Sequence, residues 1–122
     1  MQHSIRHVIG AAVLAAVATS AYAHHGWSDY AADKPMTLKG RVKTSSYENP
    51  HAMITLDAQG HTSTVVLAPV ARMEARGASR DAVAAGQEIT VVGYPSRTHA
   101  DTVRAERILI ADGSAQKTVE LR

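Results

Sequence analysis

The sequence predicts a mainly β protein, a small OB-like antiparallel barrel of five or six strands with one short helix after strand three. Three observations predict it. Apolar residues alternate with polar ones at a period of two along several short runs, as expected when one face of a strand is buried. Gly-containing breaks separate those runs. A single stretch, Val70 to Arg76, reads as about two helical turns, with Pro69 where a helix start tolerates it and Gly77 as its stop. The pattern fits small closed β architectures.

The elements follow in order. Residues 1–23 have the three parts of a secretory signal: Arg6 near the start, an apolar run from Val8 to Ala18, and the A-x-A site Ala21-Tyr22-Ala23. The competing reading, an uncleaved anchor, is disfavoured because the run is shorter than the ~20 residues that span a bilayer. Cleavage after Ala23 leaves 99 residues starting at His24 and sends the protein to the periplasm or outside the cell, with no stable membrane insertion. Residues 24–35 form an irregular arm, and residues 36–122 the barrel domain.

The first strand opens at Met36, where Met36, Leu38, Gly40 and Val42 alternate with Thr37, Lys39, Arg41 and Lys43. Glu48-Asn49-Pro50 breaks it. A second strand, His51 to Asp57, turns through Ala58-Gln59-Gly60 into a third, Thr62 to Leu67. After the helical stretch come the strands Gln87 to Tyr94 and Val103 to Ala111, and a short edge strand, Thr118 to Leu121. Val42, Ile54, Leu56, Val66, Ile89, Val91 and Ile110 are the expected core.

Composition narrows the chemistry. A chain of 122 residues supports one domain. Apolar residues make up 45% and mean hydropathy is -0.14, values of a globular chain. With no Phe and one Trp, its core must be aliphatic. Cysteine is absent, which excludes a disulfide framework, a thiolate zinc site and a Cys nucleophile. The signal holds one of 13 Lys/Arg and none of 11 Asp/Glu, so the mature net charge is +1. The pI of ≈ 9.2 reflects that small excess and gives no polyanion-binding face, and nucleic acid is not an expected partner.

Several of these segments together resemble a family. The mature start His24-His25-Gly26-Trp27 with Tyr30, the run Lys34-Pro35-Met36-Thr37-Leu38-Lys39-Gly40-Arg41-Val42, and Glu48-Asn49-Pro50-His51 are similar to DUF6152, small exported bacterial proteins of unknown function. The similarity continues through Gly77, the strand entry Ala85 to Val91, and the close Ile110-Ala111-Asp112-Gly113. Members usually carry an aromatic residue or two after Asn-Pro-His and a Trp on the third strand. Here Ala52-Met53-Ile54 and Thr64-Val65-Val66 stand instead, which weakens any aromatic ligand platform. The resemblance implies export and a fold, and no activity.

The histidines carry the chemistry. A mature N-terminal His24 offers its α-amine and its ring Nδ1, which close a six-membered chelate on a metal. An amine reference pKa of about 7.7–8.0 makes its deprotonation inexpensive near neutrality. One further imidazole completes the three-nitrogen T called a histidine brace, a nitrogen-rich set suited to Cu(II). His51, behind the stiff Asn49-Pro50 pair, is the best second arm, and His25 can replace either ligand or assist. The plainer alternatives stand beside these: His24 and His25 as solvated, His51 as a half-buried residue bonded to the Asn49 turn. His61 and His99 read as solvent-facing. Trp27 and Tyr30 read as a staple holding the arm on the barrel, or as the wall of the metal's open face.

Two site types fail. There is no G-x-S-x-G elbow for a hydrolytic triad. Asp29 and Asp33 lack the Gly-centred loop of alternating oxygens that Ca²⁺ needs. Three function classes remain: a periplasmic copper-binding protein in storage, delivery or tolerance; a metal-free exported module binding a small molecule, peptide or envelope partner; and a redox enzyme using the same copper. The third is disfavoured because no broad aromatic face presents a polymer.

Overall fold

The computed structural model describes residues 26–122. The expected signal segment, its expected cleavage site and the candidate ligands His24 and His25 lie outside the described residues.

Six strands and one α-helix make up the domain: β1 (Met36–Ser46), β2 (Met53–Ala58), β3 (His61–Val66), α1 (Val70–Ala75), β4 (Glu88–Pro95), β5 (Thr102–Asp112) and β6 (Ala115–Glu120). Single 3-10 turns lie at Trp27–Asp29 and Asp81–Val83. The strand order is β3-β2-β1-β4-β5-β6, and β3 also pairs with β5. That last pairing is parallel, through Val65↔Val103 and its neighbours, and it closes five strands into a mixed barrel. All other pairings are antiparallel. β6 lies outside the ring, attached to β5 alone. The expected OB-like barrel with a helix after strand three is what forms.

The turn from β2 to β3 works because Gln59 (φ 53°) and Gly60 (φ 75°) both take left-handed backbone, the twist that a tight hairpin needs. Helix α1 stops at Gly77 (φ 84°), as its sequence predicts. Its buried side chain, Met73, plugs the core with Leu56, Val65, Ile89, Val91 and Ile108, each at most 2% exposed. The interior is aliphatic, as expected, except for Tyr47, which is buried in the core with its hydroxyl donating to the Ala78 carbonyl at 2.6 Å.

Two expectations are corrected. Val66 is half-buried and Val65 fully buried, because β3 turns Ser63 and Val65 inward, which leaves Val66 on the other side. The parity of that strand is set by its pairing with β2 and β5, and a Val-Val pair carries no period to reveal it. Strand ends also differ: β2 starts at Met53, two residues beyond His51, and β6 starts at Ala115.

A bulge in β5 shapes the functional side. Val92 pairs with Arg107 and Gly93 with Ala105, so Glu106 is the extra residue. Ala105 and Ile108, three apart, can then both face the core at 0% exposure. Arg104 and Glu106 are left on the outer side, where the N-terminal arm lies.

Candidate functional site

His51 precedes β2 and follows a cis Asn49–Pro50 peptide. Two backbone hydrogen bonds fix the next residue: Ala52 N–H donates to the Ala68 carbonyl, and Leu67 N–H to the Ala52 carbonyl, each at 2.9 Å. The Asn49 side chain is engaged elsewhere, its Oδ1 accepting from Val70 N–H at 3.3 Å at the start of α1. His51 Nε2 instead faces Arg104 Nη2 at 3.4 Å. The half-buried ring is held below the ordinary His pKa, first by burial, then by Arg104 and Arg72. That shift favours the uncharged ring, whose lone pair can serve as acceptor or ligand.

Arg104 is the feature that sequence reasoning missed. It alternates on β5 with Val103 and Ala105, so it points away from the core, yet it is only 9% exposed. The arm covers it: the Trp27 ring centroid lies 4.6 Å from Arg104 Cζ, and that of Tyr30 6.0 Å. Burial and the neighbouring Arg72 lower its pKa, while Tyr30 opposes the shift. Arg104 Nε is buried and makes no hydrogen bond, and no carboxylate pairs with this guanidinium among the described residues. The one available signal was a charged residue between small apolar neighbours in a strand, and an edge position explains that equally well.

The arm is held by a second set of contacts. Ala31 N–H donates to the Pro95 carbonyl and Arg97 N–H to the Asp29 carbonyl, both at 2.9 Å, and Tyr30 bridges Ser96. Trp27 meets Tyr94 edge-on at 6.2 Å between ring centroids, and Arg122 Cζ stands 4.8 Å from the Trp27 centroid. Glu106 closes the circuit, accepting from the Tyr94 hydroxyl at 2.9 Å and pairing with Arg122 at 3.6 Å. That hydrogen bond raises the Tyr94 pKa. Trp27 and Tyr30 thus do staple the arm, and their partners are cations and an aromatic ring.

The remaining histidines lie apart from this cluster. His61 Nε2 pairs with Asp101 Oδ1 at 2.8 Å, both well exposed. His99 Nδ1 shares a 2.9 Å bond with the Thr98 hydroxyl. Both border a cavity of about 250 Å³ whose lining includes Met36, Leu38 and Val103. Another concavity, about 280 Å³, lies by Lys39, Glu88 and the β5–β6 turn and contains no histidine. Among the described residues, no three His, Cys, Asp or Glu side chains come together to hold a metal. A site using His51 therefore needs donors from residues 24 and 25. Among the same residues, no helix is long and apolar enough to cross a membrane.

The chain belongs to DUF6152, a family of unknown function, whose profile matches residues 11–104. No curated protein matches it. Two solved structures resemble it weakly. The first, the crystal structure of the ZRD-deleted mutant of TiaS in complex with agmatine, is 21% identical over 72% of this chain and 26% of that one, at TM-score 0.49. The second, a complex of TiaS with a tRNA, AMPCPP and agmatine, is 19% identical over 73% of this chain and 27% of that one, also at 0.49. This chain spans about a quarter of their length. Nothing about activity follows from that likeness.

Proposed function

We propose that this DUF6152 member is an exported copper-binding protein of the periplasm or cell exterior, acting in copper storage, delivery or tolerance. The α-amine and ring of a mature N-terminal His24 hold Cu(II) together with the His51 ring, and His25 substitutes or assists. One observation supports the reading: Trp27, three positions after His24, lies against the guanidinium that faces His51. Trp27 stacks on the guanidinium whose Nη2 lies 3.4 Å from His51 Nε2. His25 and Gly26 lie between His24 and Trp27, a stretch of up to roughly 10 Å, which gives the proposed chelating terminus room to approach His51. The ring's lowered pKa adds to this, because metal ligation needs neutral imidazole.

The donor set suits the ion, since three nitrogens favour Cu(II) over harder cations. Arg104 works against it: one more cation beside the metal lowers affinity, and Arg104 competes for the Nε2 lone pair. Titration of correctly processed protein with Cu(II), read by its spin-resonance spectrum, tests the proposal. Processed protein is expected to bind tightly through nitrogen, whereas protein with Met retained before His24, and His51→Ala, bind far more weakly. His61→Ala changes little. Equal binding by the Met-capped and processed forms would reject the brace.

A metal-free binding module is the second reading, favoured by the cavity of about 250 Å³ walled by β1, β3 and the 96–101 loop. Its apolar floor and His61–Asp101 rim suit a small, partly polar molecule. Failure of every form to bind copper below micromolar concentration would make it the better account.

A further inference from the structure

We infer that Arg104, beside Arg72 and the His51 ring, forms an oxyanion site, taking a carboxylate or phosphate group of a small ligand, with or without metal. The inference goes beyond the copper reading and does not need it.

Arg104 is an uncompensated charge. A guanidinium that is only 9% exposed has left most of its water, a cost that buried cations ordinarily offset with a carboxylate. Here no carboxylate pairs with it among the described residues. Glu106, which leaves β5 on the same side, is occupied by Tyr94, Arg107 and Arg122. The ring faces of Trp27 and Tyr30 supply part of the missing stabilisation through their quadrupoles. Neither supplies an anion, and Nε remains without an acceptor.

The surroundings add positive charge. Arg72 lies close enough to depress both the Arg104 and the His51 pKa. It is anchored by a 3.1 Å bond from Nη1 to the Leu121 carbonyl. Two guanidinium groups, on α1 and β5, thus act on the His51 ring, and no acid pairs with Arg104 among the described residues. Arginine's planar fork matches carboxylate and phosphate oxygens, and such charge-assisted bonds are the strong class. An oxyanion here supplies the missing acceptor and reverses the sign of the field at His51. The cover over Arg104 is the one-turn 3-10 segment Trp27–Asp29, which has no side-chain cap and no fully buried residue.

The test uses processed, metal-free protein and follows the His51 ring by NMR across pH in chloride, phosphate or acetate at matched ionic strength. An anion within contact distance of the ring should raise its midpoint by about one unit. A rise with phosphate alone identifies a phosphate ligand, with acetate alone a carboxylate, and with both a general oxyanion site. The exposed His61 ring is the internal control and should not move differentially. Arg72→Gln should weaken anion binding about tenfold, as expected for one lost charge-assisted bond, with a small fall in Tm from the lost bond to the Leu121 carbonyl. No rise with either anion overturns the inference, as does an equal shift of His51 and His61 that ignores Arg72→Gln. Because no copper is present, neither result bears on the copper proposal.

Discussion

The guanidinium of Arg104 lies 4.6 Å from the centre of the Trp27 ring, joining the N-terminal arm to the middle of β5. Every property of the candidate site passes through that contact. It helps to bury the cation and holds the arm against the barrel.

Trp27→Ala should therefore loosen the arm and uncover Arg104 together. Desolvated cation–π contacts are each worth up to about 2 kcal/mol, so a loss of about 1–2 kcal/mol is expected in chemical denaturation. Copper affinity of processed protein should fall as well, since the terminus loses its anchor. Unchanged stability and unchanged copper binding would show that the stack positions nothing.

Arg72→Gln separates the two ligand readings by sign. Removing this cation should raise the His51 pKa, because Arg72 contributes to its depression. It should also strengthen Cu(II) binding severalfold while weakening oxyanion binding. Calorimetric titration with each ligand checks both, and movement of the two affinities in one direction contradicts the placement of Arg72.

Stability should depend on pH through His51. Its folded pKa lies below the ordinary value of about 6.5, so the unfolded chain takes up its proton first as pH falls. The stabilisation is fully present above about pH 6.5 and is lost as pH drops through the folded pKa. His51→Gln should flatten the slope of unfolding free energy between neutral pH and pH 5, measured by urea titration at successive pH values.

Core truncations should follow burial. Leu56→Ala removes a side chain at 0% exposure and should cost about 2–5 kcal/mol. Val91→Ala, with fewer atoms lost, should cost about 2 kcal/mol. Val66→Ala should cost less than either, because that side chain is only half-buried. Equilibrium denaturation ranks the three, and a Val66 cost matching that of Leu56 would contradict the observed parity of β3.

Gly93→Ala should be among the most damaging small changes. A Cβ there would overlap the Arg104 carbonyl, which is backbone and cannot step aside. The expected result is marked destabilisation together with displacement of β5 at Arg104, seen as altered His51 and Trp27 resonances. A variant of wild-type stability would show that the bulge relaxes freely.

Much of the fold was legible in the residues. Period-two alternation from Met36 to Val42 marked β1, Gln59-Gly60 marked the hairpin, and Pro69 with Gly77 bracketed α1. These are local effects, fixed by steric preference and by which face of a short segment is apolar. Val66 escaped because two adjacent Val residues have no parity. His51 was legible as a candidate from its Asn-Pro frame, and its environment was not.

The sequence by itself determined an aliphatic β-domain without thiol chemistry, with its histidines as the strongest metal donors and one of them held behind a stiff turn. Tertiary structure alone decided that Arg104 is buried without an acid among the described residues, that Trp27 and Arg122 meet across nearly the whole length of the described chain, and that the His51 pKa is lowered. Alternation reports which residues leave water, over a few positions at a time. The parallel β3–β5 seam, the bulge at Glu106 and the return of the arm along β4 join residues tens of positions apart. The field at His51 is a sum over those distant groups, so it exists only once the barrel has closed.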